Sequence, residues 1–140
     1  MQPRPRAVSR NPRSQTLEKT LANRLCGAGA VYATVFGSVA RGEERFDSDI
    51  DVAVSFGKPM SSNRKMTVMA IIAEVSGRSV DLIDLEKAEG LILAQALGGR
   101  EILCDSVATR TRMAVRLMRS EDDRISLAST MRGARKHLFS

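Results

Sequence analysis

Apolar side chains along this chain alternate between helical spacing and strand-like runs. Leu17, Leu21 and Leu25 recur every four residues, which predicts an amphipathic helix over 15–26. The run 31–36 is rich in β-branched and aromatic residues and stops at a glycine, as a strand does. The chain is therefore expected to enter its fold through a helix followed by a strand.

The same spacings continue to about residue 119, with glycine and proline between the segments. Further strands are predicted over 49–55, 80–85 and 100–104, and further helices over 39–43 (a single turn), 62–76, 87–97 and 107–119. In the helix over 62–76 the apolar positions Met66, Met69, Ile72 and Val75 are interpreted as core. Helices that alternate with strands on a small sheet indicate an α/β or α+β fold, here with a mixed sheet of about four strands.

Length and charge fit one globular domain with basic ends. The chain has 140 residues, 43% of them hydrophobic and 27% charged, and no apolar run approaches the ~18 residues that span a bilayer. The net charge of +6 lies in the ends, since 15–109 holds more acidic than basic residues. We predict a flexible basic arm over 1–14, one domain over 15–119 and a basic helical extension over 120–140.

Composition argues against several functions that a basic chain suggests. One tyrosine and four phenylalanines, none interleaved with the arginines, provide no stacking surface for nucleic acid. The basic ends are interpreted as solvated tails, or alternatively as a docking surface at Arg112, Arg116 and Arg119 for an acidic partner. Cys26 and Cys104 form no metal-binding spacing, and the N-terminus lacks an apolar signal region. We expect buried, reduced thiols and a cytoplasmic protein without a membrane segment.

The segment 37–51 carries the chemistry. It runs from a predicted strand into Gly37 and Ser38, then through a short helical turn to the strand that carries Asp49 and Asp51. Glycine allows a tight turn and a close ligand, and backbone N–H groups at a helix start bind anions. Gly37 and Ser38 are therefore candidates to hold the phosphates of a nucleotide.

Asp49 and Asp51 are two residues apart on a predicted strand, so their carboxylates point from the same face. Paired acids repel one another unless a cation or a shared proton neutralises them, and oxygen ligands of this kind suit Mg²⁺. A third carboxylate is expected from the strand over 80–85. Asp81 and Asp84 are the candidates there, and Asp81 is favoured because it lies nearer the start of the strand.

The residues Gly37-Ser38-x-Ala40-Arg41-Gly42, followed by Ser48-Asp49-Ile50-Asp51, resemble the motif of the nucleotidyltransferase superfamily related to DNA polymerase β. With the single-domain length and the later Val80-Asp81-Leu82-Ile83-Asp84-Leu85, the chain is most similar to the minimal nucleotidyltransferases, or MNT proteins. The resemblance covers about residues 17–105.

The resemblance implies a mechanism as well as a fold. Asp49 and Asp51 would bind two Mg²⁺ ions, and Asp81 would complete the second metal site and help deprotonate an acceptor hydroxyl. Gly37 and Ser38 would hold the terminal phosphates of ATP or another NTP, whose α-phosphorus the acceptor attacks. Arg41 would neutralise phosphate charge or, equally, would form a surface ion pair with a neighbouring glutamate.

The resemblance also implies a partner. Many single-domain members are antitoxins encoded beside HEPN proteins, and some transfer AMP to a tyrosine of that partner. A length of 140 residues leaves little room for an acceptor domain, which favours an acceptor on another chain. Two alternatives stay open: transfer to a small molecule such as an aminoglycoside, across a homodimer interface, and an antitoxin that acts by binding alone.

Two weaker motifs are set aside. The glycine spacing of 37–42 fits a P-loop, but Glu43 occupies the position of its lysine. Arg132 and His137 match the spacing of the HEPN ribonuclease motif, yet residues 107–140 are too few to build a HEPN bundle. We interpret His137 as part of a solvated helix end.

Overall fold

The computed structural model describes residues 12–37 and 49–119, which form four helices and four strands. In chain order these are α1 (Pro12–Gly27), β1 (Tyr32–Phe36), β2 (Ile50–Ser55), α2 (Ser62–Ser76), β3 (Val80–Asp84), α3 (Gly90–Leu97), β4 (Arg100–Cys104) and α4 (Val107–Arg119). The predicted α/β class and its mixed four-stranded sheet are confirmed.

Some predicted boundaries shift. Helix α1 begins at Pro12, inside the segment predicted as a flexible arm, because proline is well tolerated in the first turn of a helix. Helix α3 begins at Gly90, three residues later than predicted. The rest of the predicted arm, the turn over 39–43 and the extension over 120–140 lie outside the described residues. None of the helices in 12–37 and 49–119 combines the length and apolar character needed to cross a membrane.

The sheet has the strand order β3-β2-β1-β4. Strand β1 is antiparallel to both of its neighbours, whereas β2 and β3 run parallel. The end of β1 and the starts of β2, β3 and β4 therefore lie at one edge, which we call the Gly37 end of the sheet.

Helices cover both faces of the sheet. On one face α1 and α2 pack Leu21, Leu25, Val68 and Ile72 against the strands. The other face is covered by α3 and α4, which contribute Leu93, Ala96 and Met113. Ile50, Val52 and Val54, predicted to supply the core, are almost fully buried.

The buried face of α2 differs from the predicted one. Met66 is 69% exposed and Met69 is 38% exposed, whereas Val68 and Ile72 are buried. Apolar residues lie on both sides of this helix, so the spacing alone did not determine which side faces the sheet. The prediction that Met66 and Met69 are core was wrong.

The cysteines also differ from expectation. Cys26 is exposed on α1, and Cys104 at the end of β4 is only partly buried. The prediction of two buried thiols was therefore wrong for Cys26, because α1 presents that position to solvent rather than to the sheet.

The only tyrosine of the chain, Tyr32, begins β1 at the end of the sheet opposite Gly37. Its ring is buried against α3 and α4, and its hydroxyl donates a hydrogen bond to Glu101, which is paired with Arg110 at 2.6 Å. Burial, followed by the bond to Glu101, raises the pKa of Tyr32 to about 12. The phenol is thus held neutral in the core.

Besides Arg110, two further basic residues of α4 are engaged within the chain. Arg112 pairs with Glu86 at 2.7 Å, and Glu86 also accepts a hydrogen bond from Ser55. Arg116 donates to the carbonyl oxygens of Leu85 and Ala88. These contacts fix the segment after β3 against α4, so charge reversal at Arg112 or Arg116 would disturb the fold as well as any docking surface.

We expect Arg116→Ala to lower the free energy of unfolding by about 1–2 kcal/mol, because the Leu85 and Ala88 carbonyls lose their side-chain donor. Urea unfolding followed by circular dichroism measures the change. The control is Arg119→Ala, which removes the same charge from an exposed position of α4 and should change stability by less than about 0.5 kcal/mol. Equal losses in both variants would contradict the role of Arg116.

Glu86 should make stability depend on pH. Hydrogen bonding to Arg112 is the main cause that lowers the pKa of this carboxyl in the folded protein. A lowered pKa contributes stability above the unfolded value of about 4.3, and this contribution disappears as the pH falls through the folded value.

Glu86→Gln should therefore reduce stability at pH 7 and flatten its loss below about pH 4.3, as measured by urea unfolding across pH. The matched control is Glu74→Gln, which removes an exposed partner of Arg24 and should leave the loss of stability at low pH unchanged. If Glu86→Gln loses stability below about pH 4.3 as steeply as the wild type, the Glu86 carboxyl does not cause the pH dependence.

Candidate functional site

Strand β1 delivers Gly37 to the site. The preceding residue, Phe36, is anchored in the core under α3, and Gly37 then turns the chain with a φ of +78°. A Cβ at this position would overlap Oδ2 of Asp51 and lie 3.1 Å from its Cγ. Only glycine lets the backbone approach the carboxylate this closely.

Strands β2 and β3 place two carboxylates side by side. Asp51 and Asp81 are register partners in the parallel pair, so both point to the same face on strands about 4.8 Å apart. Asp51 is partly buried beside Gly37, whereas Asp81 is exposed on the edge strand of the sheet. Asp49 immediately precedes β2 and is exposed at the same end of the sheet.

The other acid of β3, Asp84, has a structural role. It is 6% exposed, and its carboxylate accepts hydrogen bonds from the backbone N–H groups of Met60 at 2.8 Å and Glu86 at 3.0 Å. A buried acid with two backbone donors stabilises the turns around it. Asp81 is thus the acid of this strand that shares a face with Asp51.

The structure brings together part of the predicted set. Gly37, Asp51 and Asp81 meet at one end of the sheet, and Asp49 lies next to them in the chain. Ser38 and Arg41 lie outside the described residues. Across 12–37 and 49–119 there is no cluster of three or more His, Cys, Asp or Glu side chains placed to hold a metal ion.

Two neighbouring carboxylates nevertheless fit the chemistry of Mg²⁺. This ion commonly takes one or two protein carboxylates and completes its octahedral shell with water and substrate phosphate oxygens. Asp51 and Asp81 offer oxygen ligands near an edge strand of the sheet, beside the turn at Gly37.

Sequence reasoning missed Gly99, which lies between α3 and β4. A Cβ there would approach the carbonyl oxygen of Val35 to 2.5 Å and the Cβ of Phe36 to 2.7 Å. One glycine suffices to end a helix, and Gly98 directly follows α3. The second glycine was the signal of a close approach by another backbone.

Comparison with known proteins identifies the family. Residues 16–108 match the polymerase β nucleotidyltransferase family. A protein of Methanocaldococcus jannaschii, which its name describes as a protein adenylyltransferase, is 34% identical over 64 residues that cover 46% of this chain and 69% of the relative.

Solved structures agree on the fold. A minimal nucleotidyltransferase aligns with a TM-score of 0.54 and 28% identity, over 61% of this chain and 88% of that one. A chain from the complex of tri-AMPylated Shewanella oneidensis HEPN toxin with an MNT antitoxin aligns with a TM-score of 0.59 and 19% identity, over 90% and 95%. A chain of a toxin–antitoxin complex with AMP-PNP gives 0.62 and 20%, over 87% and 94%. The chain belongs to the polymerase β nucleotidyltransferase family and is a nucleotidyltransferase.

Proposed function

We propose that this protein transfers AMP from ATP, with Mg²⁺, to a tyrosine hydroxyl of a HEPN-type toxin and thereby acts as its antitoxin in the cytoplasm. The observation that carries the proposal is the pairing of Asp51 with Asp81 at the edge where Gly37 touches the Asp51 carboxylate. Two neighbouring carboxylates beside a glycine turn support the proposed metal binding and proton acceptance next to a phosphate site.

Each residue has a defined task in this reaction. Gly37 and Ser38 bind the terminal phosphates of ATP, and Arg41 offsets part of their charge. Asp49, Asp51 and Asp81 hold the two Mg²⁺ ions, which supply positive charge for the polyphosphate and the leaving group. Asp81 also orients the acceptor hydroxyl and accepts its proton. A bond forms between the acceptor oxygen and the α-phosphorus, and the bond to the β-phosphate oxygen breaks to release pyrophosphate.

The position of Asp81 supports a protein acceptor. It is exposed on β3, which is an edge strand, so a side chain of another protein can reach it from outside the sheet. The archaeal relative is named as a protein adenylyltransferase, and the chains of toxin–antitoxin complexes align with nearly the whole of this chain. These likenesses favour a HEPN-type partner.

Asp51→Asn and Asp81→Asn should each lower AMP transfer by at least about 100-fold, because each removes a charge from the metal and proton-transfer site. The assay incubates the protein with labelled ATP, Mg²⁺ and the protein encoded by the neighbouring gene, which is tested as the HEPN-type acceptor. The matched control is Asp105→Asn, at an exposed position after β4 at the opposite end of the sheet, which should retain full transfer.

The same variants separate the alternatives. An Asp51→Asn protein that still neutralises the toxin as well as the wild type would show an antitoxin that acts by binding alone. When an aminoglycoside is added to the assay, label on it and none on the partner protein would show a small-molecule acceptor. Label on the toxin that persists in both aspartate variants would contradict the assigned site.

Gly37→Ala should abolish AMP transfer, since its Cβ would displace the Asp51 carboxylate in addition to straining a left-handed φ. The matched control is Gly57→Ala, where φ is +85° but no atom lies within 4 Å of the added Cβ. Both variants should lose about 1 kcal/mol of stability from backbone strain, as measured by urea unfolding. Only Gly37→Ala should lose transfer, and retained activity there would refute the close-contact argument.

A further inference from the structure

The turn between α3 and β4 packs directly against the end of β1, the strand that leads to Gly37. At Gly99 an added Cβ would lie 2.5 Å from the Val35 carbonyl oxygen, 2.7 Å from the Phe36 Cβ and 3.0 Å from the Phe36 Cα. Two of these three atoms belong to the backbone of β1. They can give way only if the end of the strand moves.

The turn cannot retreat from β1 because it is fixed on both sides. Before the turn, the buried Thr34 hydroxyl donates to the carbonyl oxygen of Ala96 at 2.7 Å. After the turn, Arg100 is the register partner of Val35 and forms a paired hydrogen bond with Glu18 of α1. Any group added at Gly99 must therefore push the end of β1.

The end of β1 leads directly to the site. Phe36 is the register partner of Asp51, and the next residue, Gly37, touches the Asp51 carboxylate. Movement of Phe36 therefore changes the distance between the Gly37 turn and the acid beside it. Gly99 lets the turn between α3 and β4 approach Phe36 closely, and Gly37 lets the backbone after Phe36 approach the Asp51 carboxylate closely.

We propose that Gly99 is a positioning residue for nucleotidyl transfer, which sets the place of the Gly37 turn relative to Asp51 and thereby the fit of the ATP phosphates. This inference rests on the proposed role of Gly37 in nucleotide binding. Gly99 itself lies behind β1 and acts through Phe36.

Gly99→Ala should raise the KM for ATP by about tenfold, as expected for a misplacement of well under 1 Å in a phosphate site, and should leave the KM for the acceptor protein unchanged. A smaller folded fraction would lower kcat alone, because the molecules that remain folded would bind ATP normally. The split between the two KM values therefore separates positioning from loss of stability.

The matched control is Gly98→Ala in the same turn. Its Cβ would meet only carbonyl oxygens of α3, Ala94 at 3.2 Å and Gln95 at 3.7 Å, so the KM for ATP should stay within about twofold of wild type. A KM for ATP that is unchanged in Gly99→Ala, or raised equally in Gly98→Ala, overturns the role of Gly99.

Should Gly99→Ala fail to fold, Phe36→Leu decides the question. This variant keeps the Phe36 Cβ that contacts Gly99 but loosens the packing of the end of β1 under α3. A raised KM for ATP supports the inference, and an unchanged KM overturns it. A wild-type protein that neither binds nor consumes ATP would instead contradict the proposed function itself. If the wild type is active and the KM for ATP does not change in Gly99→Ala, only the positioning role of Gly99 is rejected.

Discussion

Parallel pairing of β2 with β3 is the constraint on which the rest of this structure depends. Two parallel strands cannot be joined by a tight turn, so the chain must cross the sheet between them, and residues 56–79 with α2 make that crossing. The starts of both strands then meet at one edge. Asp51 and Asp81, thirty positions apart in the chain, become neighbours only for this reason.

Electrostatics divides the molecule into two regions. At the Gly37 end of the sheet, Asp51 and Asp81 lie side by side with Asp49 nearby in the chain, and neighbouring carboxylates favour the binding of cations. Toward the opposite end of the sheet, Arg112 and Arg116 hold Glu86 and the backbone after β3. The positive net charge of the chain thus says little about what the protein binds, because part of it serves to hold α4 in place.

Much of the fold could be predicted from sequence because its cues are local. Spacing and glycine punctuation located the four strands, α2 and α4 to within one residue at each boundary, and α1 and α3 to within three. The backbone contacts that occupy Asp84 leave Asp81 as the acid of β3 beside Asp51. What failed depends on long-range contacts. Which face of α2 meets the sheet, how Gly99 meets Phe36 and how Arg112 meets Glu86 are decided by segments far apart in the chain.

The buried Tyr32 has a consequence for an enzyme whose proposed acceptor is a tyrosine. As the only phenol of the chain, it is the one group through which such an enzyme could modify itself in the same chemistry. Its hydroxyl is committed to Glu101, its pKa is raised to about 12, and it lies at the far end of the sheet from Asp51. In the proposed reaction, the fold thereby keeps the one phenol of the chain from competing with the partner as an acceptor.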